Sequence, residues 1–178
     1  DEAYAVVANQ LSIQEIDFDD QDNFMTVSGL KDFVNQNHLN PHRNGFNFRE
    51  IFGTNDLSDE IYNTPRVWYG QKLLNPSIDQ QPQSQSLPFI RRAEKLIQVD
   101  DAEQILSSHF QGTPFDPIGV GSKHEQTLYR PISLAKTQES HILQLRPNLP
   151  PEIAGIHWLA MGVAAQSLYI PFYAGIKD

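Results

Sequence analysis

Residues 4–16 are rich in β-branched positions, a pattern that predicts one strand or two short ones. Inside this stretch Val6-Val7-Ala8 delivers the two amides Asn9 and Gln10, where an unpaired polar group is costly. Either the amides mark a turn, or the strand presents Asn9 to something. The acidic run Asp17-Phe18-Asp19-Asp20 then turns the chain toward solvent. Ser28 can cap a short helix whose apolar positions Leu30, Phe33 and Val34 fall at helical spacing. A further helical turn is expected around residues 46–52, closed by Gly53. Thr64-Pro65 reads as the start of a longer helix, with Thr as cap and Pro at the first helical position. Trp68 and Leu74 would form its buried stripe.

Residues 75–88 (NPSIDQQPQSQSLP) are polar and carry proline near both ends and in the middle, as a surface loop does. Residues 89–98 fit a helix or a strand equally well. Asp100 followed three residues later by Glu103 resembles a capping box, with Ala102, Ile105 and Leu106 as the inner face and Gly112 just past the end. After the loop GTPFDPIGVG, three strands are expected at 127–134, 140–146 and 153–160. Their short connections favour an antiparallel meander. The order of strand, helices and meander predicts an α+β fold in which helices cover an antiparallel sheet.

Composition narrows the classes. A chain of 178 residues supports one sizeable core, so residues 1–178 are read as a single domain. Net charge is −9, from 22 acidic and 13 basic residues, with no basic stripe; this argues against nucleic acid as a partner. No apolar run reaches the ~18 residues of a membrane span, so no membrane partner is expected. Cysteine is absent, which excludes disulfides, zinc–thiolate sites and cysteine catalysis by this chain itself and fits a cytoplasmic setting. The chain opens Asp1-Glu2-Ala3 directly into an apolar run and stops on Pro171-Phe172-Tyr173-Ala174-Gly175-Ile176 without tapering into polar residues. It is therefore expected to be a central piece of a longer protein.

Residue types alone assign no chemistry. His38 and His42 are separated by the helix-breaking Pro41, His109 and His124 lie in or beside loops, and His141 and His157 fall in expected strands. The acids Asp17, Asp19, Asp20 and Asp22 lack the glycine and distal Glu of a calcium loop. No GxSxG elbow, Ser-x-x-Lys or phosphate-binding loop occurs, and Gly119-Val120-Gly121-Ser122 has no strong strand leading into it. Neither a metal nor another cofactor is expected. Among the arginines, Arg66 stands beside two aromatics in TPRVWYGQ, Arg91 and Arg92 follow Phe89-Ile90, and Arg146 closes HILQLR. A guanidinium can hold a carboxylate through two parallel hydrogen bonds.

The segments VANQLSIQEIDF, FNFREIFGT, YNTPRVWYGQ, LPFIRRAEKLI, LSSHFQGTPFDP, YRPISLAKTQESHILQLR and AGIHWLAMG, in this order, resemble the bacterial dipeptidase family typified by the lactobacillar enzymes. The resemblance covers essentially the whole chain. It extends to the penicillin V acylases, bile salt hydrolases and secernins among the N-terminal nucleophile hydrolases. It implies a four-layer αββα sandwich with two packed antiparallel sheets, partial here because its N-terminal part is missing. It also implies cleavage of dipeptide substrates by a cysteine at the mature N-terminus, whose free amine acts as base for its own thiol. No metal is needed. That cysteine lies upstream in family members and is not in this sequence.

Two residues carry over. The resemblance implies that Asn9, in Ala8-Asn9-Gln10, donates a hydrogen bond to the tetrahedral oxyanion, as an asparagine at the end of the corresponding strand does in the wider superfamily. The acylase relatives have a segment like S-R-F-x-R-A, whose first Arg lies in the active site. Here Pro88 holds that first position and Arg91 matches the second, which makes Arg91 the weaker site candidate. Two rival readings differ in substrate or in class: a non-peptide amide hydrolase of the acylase type, and a non-catalytic binding or scaffold domain. Strand edges left open by a missing sheet would favour association, so a homo-oligomer is expected.

Overall fold

The computed structural model describes residues 3–42, 44–54 and 56–175. Helices and two antiparallel sheets share the described chain, an α+β arrangement. The first sheet has two short strands, β1 (Ala3–Ala5) and β2 (Ile90–Arg92), with Tyr4 opposite Arg91. The ambiguous stretch 89–98 is thus a strand at its start. The second sheet is a meander of β3 (Glu139–Leu145), β4 (Gly155–Met161) and β5 (Ile170–Tyr173).

Helices α1 (Leu30–Gln36), α2 (Phe48–Phe52), α3 (Leu57–Tyr62) and α4 (Thr64–Leu74) fill the space between β1 and β2 in the sequence. Helix α5 (Val99–Leu106) follows β2, and α6 (Lys123–Leu128) and α7 (Pro151–Ala154) flank β3. The core is aromatic and gathers on α4. Trp68, Tyr69, Leu87, Phe110 and Tyr129 are buried together. Tyr69 meets Phe110 edge-on at 5.4 Å, and Phe115 lies 4.6 Å from Tyr129. The polar tips are satisfied: Trp68 Nε1 donates to the Gln80 carbonyl at 2.7 Å and Tyr69 Oη to that of Gln111 at 2.6 Å. Phe110 reaches this core from a left-handed backbone (φ 67°).

Several expectations need correction. Ser28 does not cap α1; Gly29, with φ 80°, occupies that place and makes no side-chain cap bond. Asn63, not Thr64, is the N-cap of α4, so Pro65 falls one position later than expected and is still tolerated in the first turn. Helix α5 begins earlier than Asp100, and the Asp101 carboxylate accepts from the Gln98 main-chain N at 2.9 Å. The strand expected at 127–134 is absent. Ser122 and Glu125 form a reciprocal capping box that launches α6, which takes in Thr127 and Leu128, and residues 129–134 follow without regular structure. The meander's third strand is β5, which pairs with β4, and residues 151–154 wind into α7 before β4 begins.

The three-stranded sheet has unequal faces. Paired residues share a face, so Ile142 and Trp158 lie on one side and Leu143, His157 and Phe172 on the other. Ile156 and Ala160, on the first side, are buried. On the second side Leu143, Leu145, Met161, Ile170 and Phe172 are all exposed.

Candidate active site

Of the stretch expected to form one strand or two short ones, Ala3–Ala5 pairs with β2 and Glu15 makes an isolated antiparallel bridge to Asn47. Exposure nonetheless alternates with period two from residue 3 to residue 16. The even positions turn inward. Among them, Gln10 Nε2 donates to the Thr54 carbonyl at 3.3 Å and Gln14 Nε2 to that of Leu87 at 3.0 Å, so the inward amides are paired. The odd positions Val7, Asn9, Leu11 and Ile13 face out, placing one amide on an otherwise apolar, exposed strip. Close approach to α4 holds the strip in place. A Cβ built on Gly70 would meet the Val6 methyls at 2.9 and 3.1 Å.

The start of α4 lies beside this strip. Asn63 ends α3 and caps α4, and it is buried. Its Nδ2 donates to the buried Asp59 carboxylate at 2.6 Å. That bond fixes which way the amide points. Asn63 Oδ1 then accepts from the main-chain N of Asn9 at 3.2 Å and from Arg66 Nη2 at 2.7 Å. From the other side Arg130 Nη1 donates to Asn9 Oδ1 at 3.3 Å. An arginine has no acceptor, so this contact forces Oδ1 toward Arg130 and turns the Nδ2 hydrogens away. Among the described residues, nothing accepts from Asn9 Nδ2. The Asn9 amide is thus held at its oxygen, with its N–H groups uncommitted among the described residues.

Both cations lie against the Tyr62 ring. The Arg66 and Arg130 guanidinium carbons lie 5.1 and 4.6 Å from its ring centre. Arg66 also donates from Nε to the Tyr62 carbonyl at 2.9 Å. Burial, and secondarily the Arg130 charge, bring the Arg66 pKa down to about 10, still well above neutral pH. Arg66 borders a cleft of ≈ 380 Å³ whose walls include Val6, Val7, Ala8, Ile105 and Ile132.

The structure does not bring Asn9 and Arg91 together. Arg91 stands in β2 opposite Tyr4, at the far end of the segment that carries Asn9. Its Nε is buried and has no hydrogen-bond partner among the described residues. Pro88 is tied into the scaffold, since its carbonyl accepts from Gln71 Nε2 at 2.8 Å. Arg66 and Arg130 are the cations beside Asn9. Arg66 had a sequence signal in its aromatic, helix-start setting; Arg130 had none, being placed in a strand that does not form. The histidines are dispersed: His42 pairs with Glu50, His109 with Asp116 and His141 with Glu139. Among the described residues, no three His, Asp or Glu side chains group so as to hold a metal ion. No helix is long and apolar enough to cross a membrane.

Comparison with known proteins identifies the family. A family model described as peptidase family C69 matches residues 1–178. A probable dipeptidase of Latilactobacillus sakei is 48% identical over 178 residues, which are 100% of this chain and 38% of that protein. Dipeptidase A of Lactobacillus helveticus is 43% identical over 177 residues, 99% of this chain and 37% of its own length. Probable dipeptidase B of Lactococcus lactis subsp. lactis (strain IL1403) is 45% identical over 184 residues, with 100% and 38% covered. The chain spans a little over a third of the length of these curated relatives.

Proposed function

The chain belongs to peptidase family C69, and from that premise we propose that it is the central part of a cysteine-type dipeptidase. The relatives' names and their greater length support this reading together. The chain has no cysteine, so the nucleophile is assigned to a part of the protein outside it. The thiolate attacks the scissile carbonyl of a dipeptide, the C–N bond breaks as the departing amine takes up a proton and leaves, and water then hydrolyses the acyl-enzyme, releasing the acid and restoring the thiol. Asn9 Nδ2 donates to the oxygen that becomes negative in both tetrahedral intermediates. In this reading the enzyme works in the cytoplasm without a metal or other cofactor.

The observation that carries the reading is the Asn9 amide, pinned at Oδ1 by Arg130 with its hydrogens uncommitted among the described residues. The exposed apolar face of Leu143, Leu145, Met161, Ile170 and Phe172 supports the αββα arrangement, in which a second sheet from the rest of the protein covers it. Residues 1–178 then contribute one sheet and its helices to a single domain completed by the remaining chain.

The test is a substrate panel on the full-length protein. Dipeptides of varied composition should be hydrolysed, and penicillin V and conjugated bile salts should not. Cleavage of the latter two at comparable kcat/KM would turn the reading toward the acylases. Absence of hydrolysis on every substrate would favour a binding domain.

A further inference from the structure

We propose that Arg66 and Arg130 form the seat for the substrate's free C-terminal carboxylate, which restricts hydrolysis to a bond one residue from the chain end. The proposal deepens the dipeptidase reading and rests on it. The two guanidinium groups both lie against one tyrosine ring, and neither pairs with a carboxylate among the described residues. That is unusual in a chain where acids outnumber bases by 22 to 13. Placing two like charges side by side is costly, and the Arg130 charge helps to depress the Arg66 pKa. An anion docked between them removes that cost. Among the described residues Arg66 commits only its Nε and one Nη2 bond, and Arg130 only one Nη1 bond, so most of their side-chain N–H groups remain for a ligand.

The distance from Asn9 argues for a terminal carboxylate in particular. In a dipeptide the carboxylate carbon lies three bonds from the scissile carbonyl carbon, roughly 3–4 Å away. A cation that reads it must therefore adjoin the oxyanion donor, and Arg130 is 3.3 Å from Asn9 Oδ1. A longer peptide would place a neutral amide at the same point and leave the two charges without an anion. Specificity for length then comes from the penalty on the wrong substrate. The apolar cleft beside Arg66 is open to the side chain of the C-terminal residue without selecting a polar group there.

The experiment measures kcat/KM of the full-length enzyme on a dipeptide and on the same dipeptide with its C-terminus amidated. The wild type should prefer the free acid by about 100-fold. R130Q retains a neutral amide donor but loses the charge. It should lower kcat/KM on the free acid at least about tenfold more than on the amidated substrate, whose loss reports only the weakened hold on Asn9. R130K, which keeps the charge and loses the fork, should fall between R130Q and wild type on the free acid. R66Q should narrow the preference in the same direction. Parallel losses on both substrates would mean that the arginines only hold Asn9 in place and would overturn the proposal. So would a wild type that cleaves both substrates alike. A wild type that cleaves neither overturns the dipeptidase reading itself, and the seat with it.

Discussion

Replacing Asn9 with alanine removes one side-chain amide and little else. The bond from the Asn9 main-chain N to Asn63 Oδ1 survives, because it does not involve the side chain. The inward-facing Gln10 keeps its own bond to the Thr54 carbonyl. Among the described residues, the only side-chain hydrogen bond given up is the 3.3 Å bond from Arg130, and it is exposed. Such a bond contributes no more than about 1 kcal/mol, so the melting temperature of the full-length enzyme should shift by only a few degrees. Turnover should respond far more strongly. Losing one oxyanion donor costs about 3–4 kcal/mol in the transition state, so kcat should fall roughly 100- to 1000-fold. KM should barely move, because the donor acts on charge that develops only after binding. Steady-state hydrolysis of a dipeptide, run beside thermal unfolding, separates the two effects. Asn9→Asp is the companion variant: its carboxylate can still accept from Arg130 but offers no hydrogen to an oxyanion. It should be at least as slow as the alanine variant and no less stable. Near-normal kcat in Asn9→Ala with an unchanged melting temperature would refute the oxyanion role. A fall in rate matched by a collapse in stability would assign Asn9 to the fold instead.

Gly70→Ala should destabilise the full-length enzyme by about 1–3 kcal/mol and slow it, because the new methyl falls 2.9 Å from Val6 and pushes away the strip that bears Asn9. Adding Val6→Ala should restore much of both; wild-type unfolding and rate in Gly70→Ala alone would show that the close approach positions nothing. Burial pushes the Tyr69 pKa up to about 12, with the Asp116 charge adding to the effect. Its contribution to stability is therefore complete below the unfolded tyrosine value near ~10 and is lost as pH rises toward about 12. Urea unfolding across that window should show a shallower decline for Tyr69→Phe than for wild type, and parallel curves would contradict the burial argument. Leu143→Asp places a carboxylate on the exposed face of the meander. If a second sheet covers that face in the full-length protein, the substitution should cost several kcal/mol on thermal unfolding; a change within about 0.5 kcal/mol would mean the face is open to water.

Much of the fold was readable where a local rule governed it. Helix α4 announced itself through Thr64-Pro65 and its buried Trp68 and Leu74, and α2 through Phe46 to Gly53. Two of the three expected meander strands exist nearly where the pattern put them. Failures arose where two local signals competed or where a partner was needed. Thr127 and its neighbours looked like a strand, but the Ser122–Glu125 box supplied a helix start. Residues 6–14 keep the alternation of a strand without its ladder, because side-chain period reports exposure and not hydrogen bonding. The motif that singled out Arg91 did not show its strand pairing, which sets it opposite Tyr4.

The sequence by itself determined the family, the mixed helix-and-sheet class and the singling out of Asn9. These depend on short-range pattern and on residues in a fixed order. It also posed the choice between a turn and a presented amide at Asn9. The tertiary structure decided how that amide is held. Asn9 meets Asn63 across 54 positions and Arg130 across 121. Contacts that distant in sequence arise from how α3, α4 and the chain after α6 pack around Tyr62, and no local propensity encodes them. Packing therefore placed Arg66 and Arg130, and not Arg91, near Asn9.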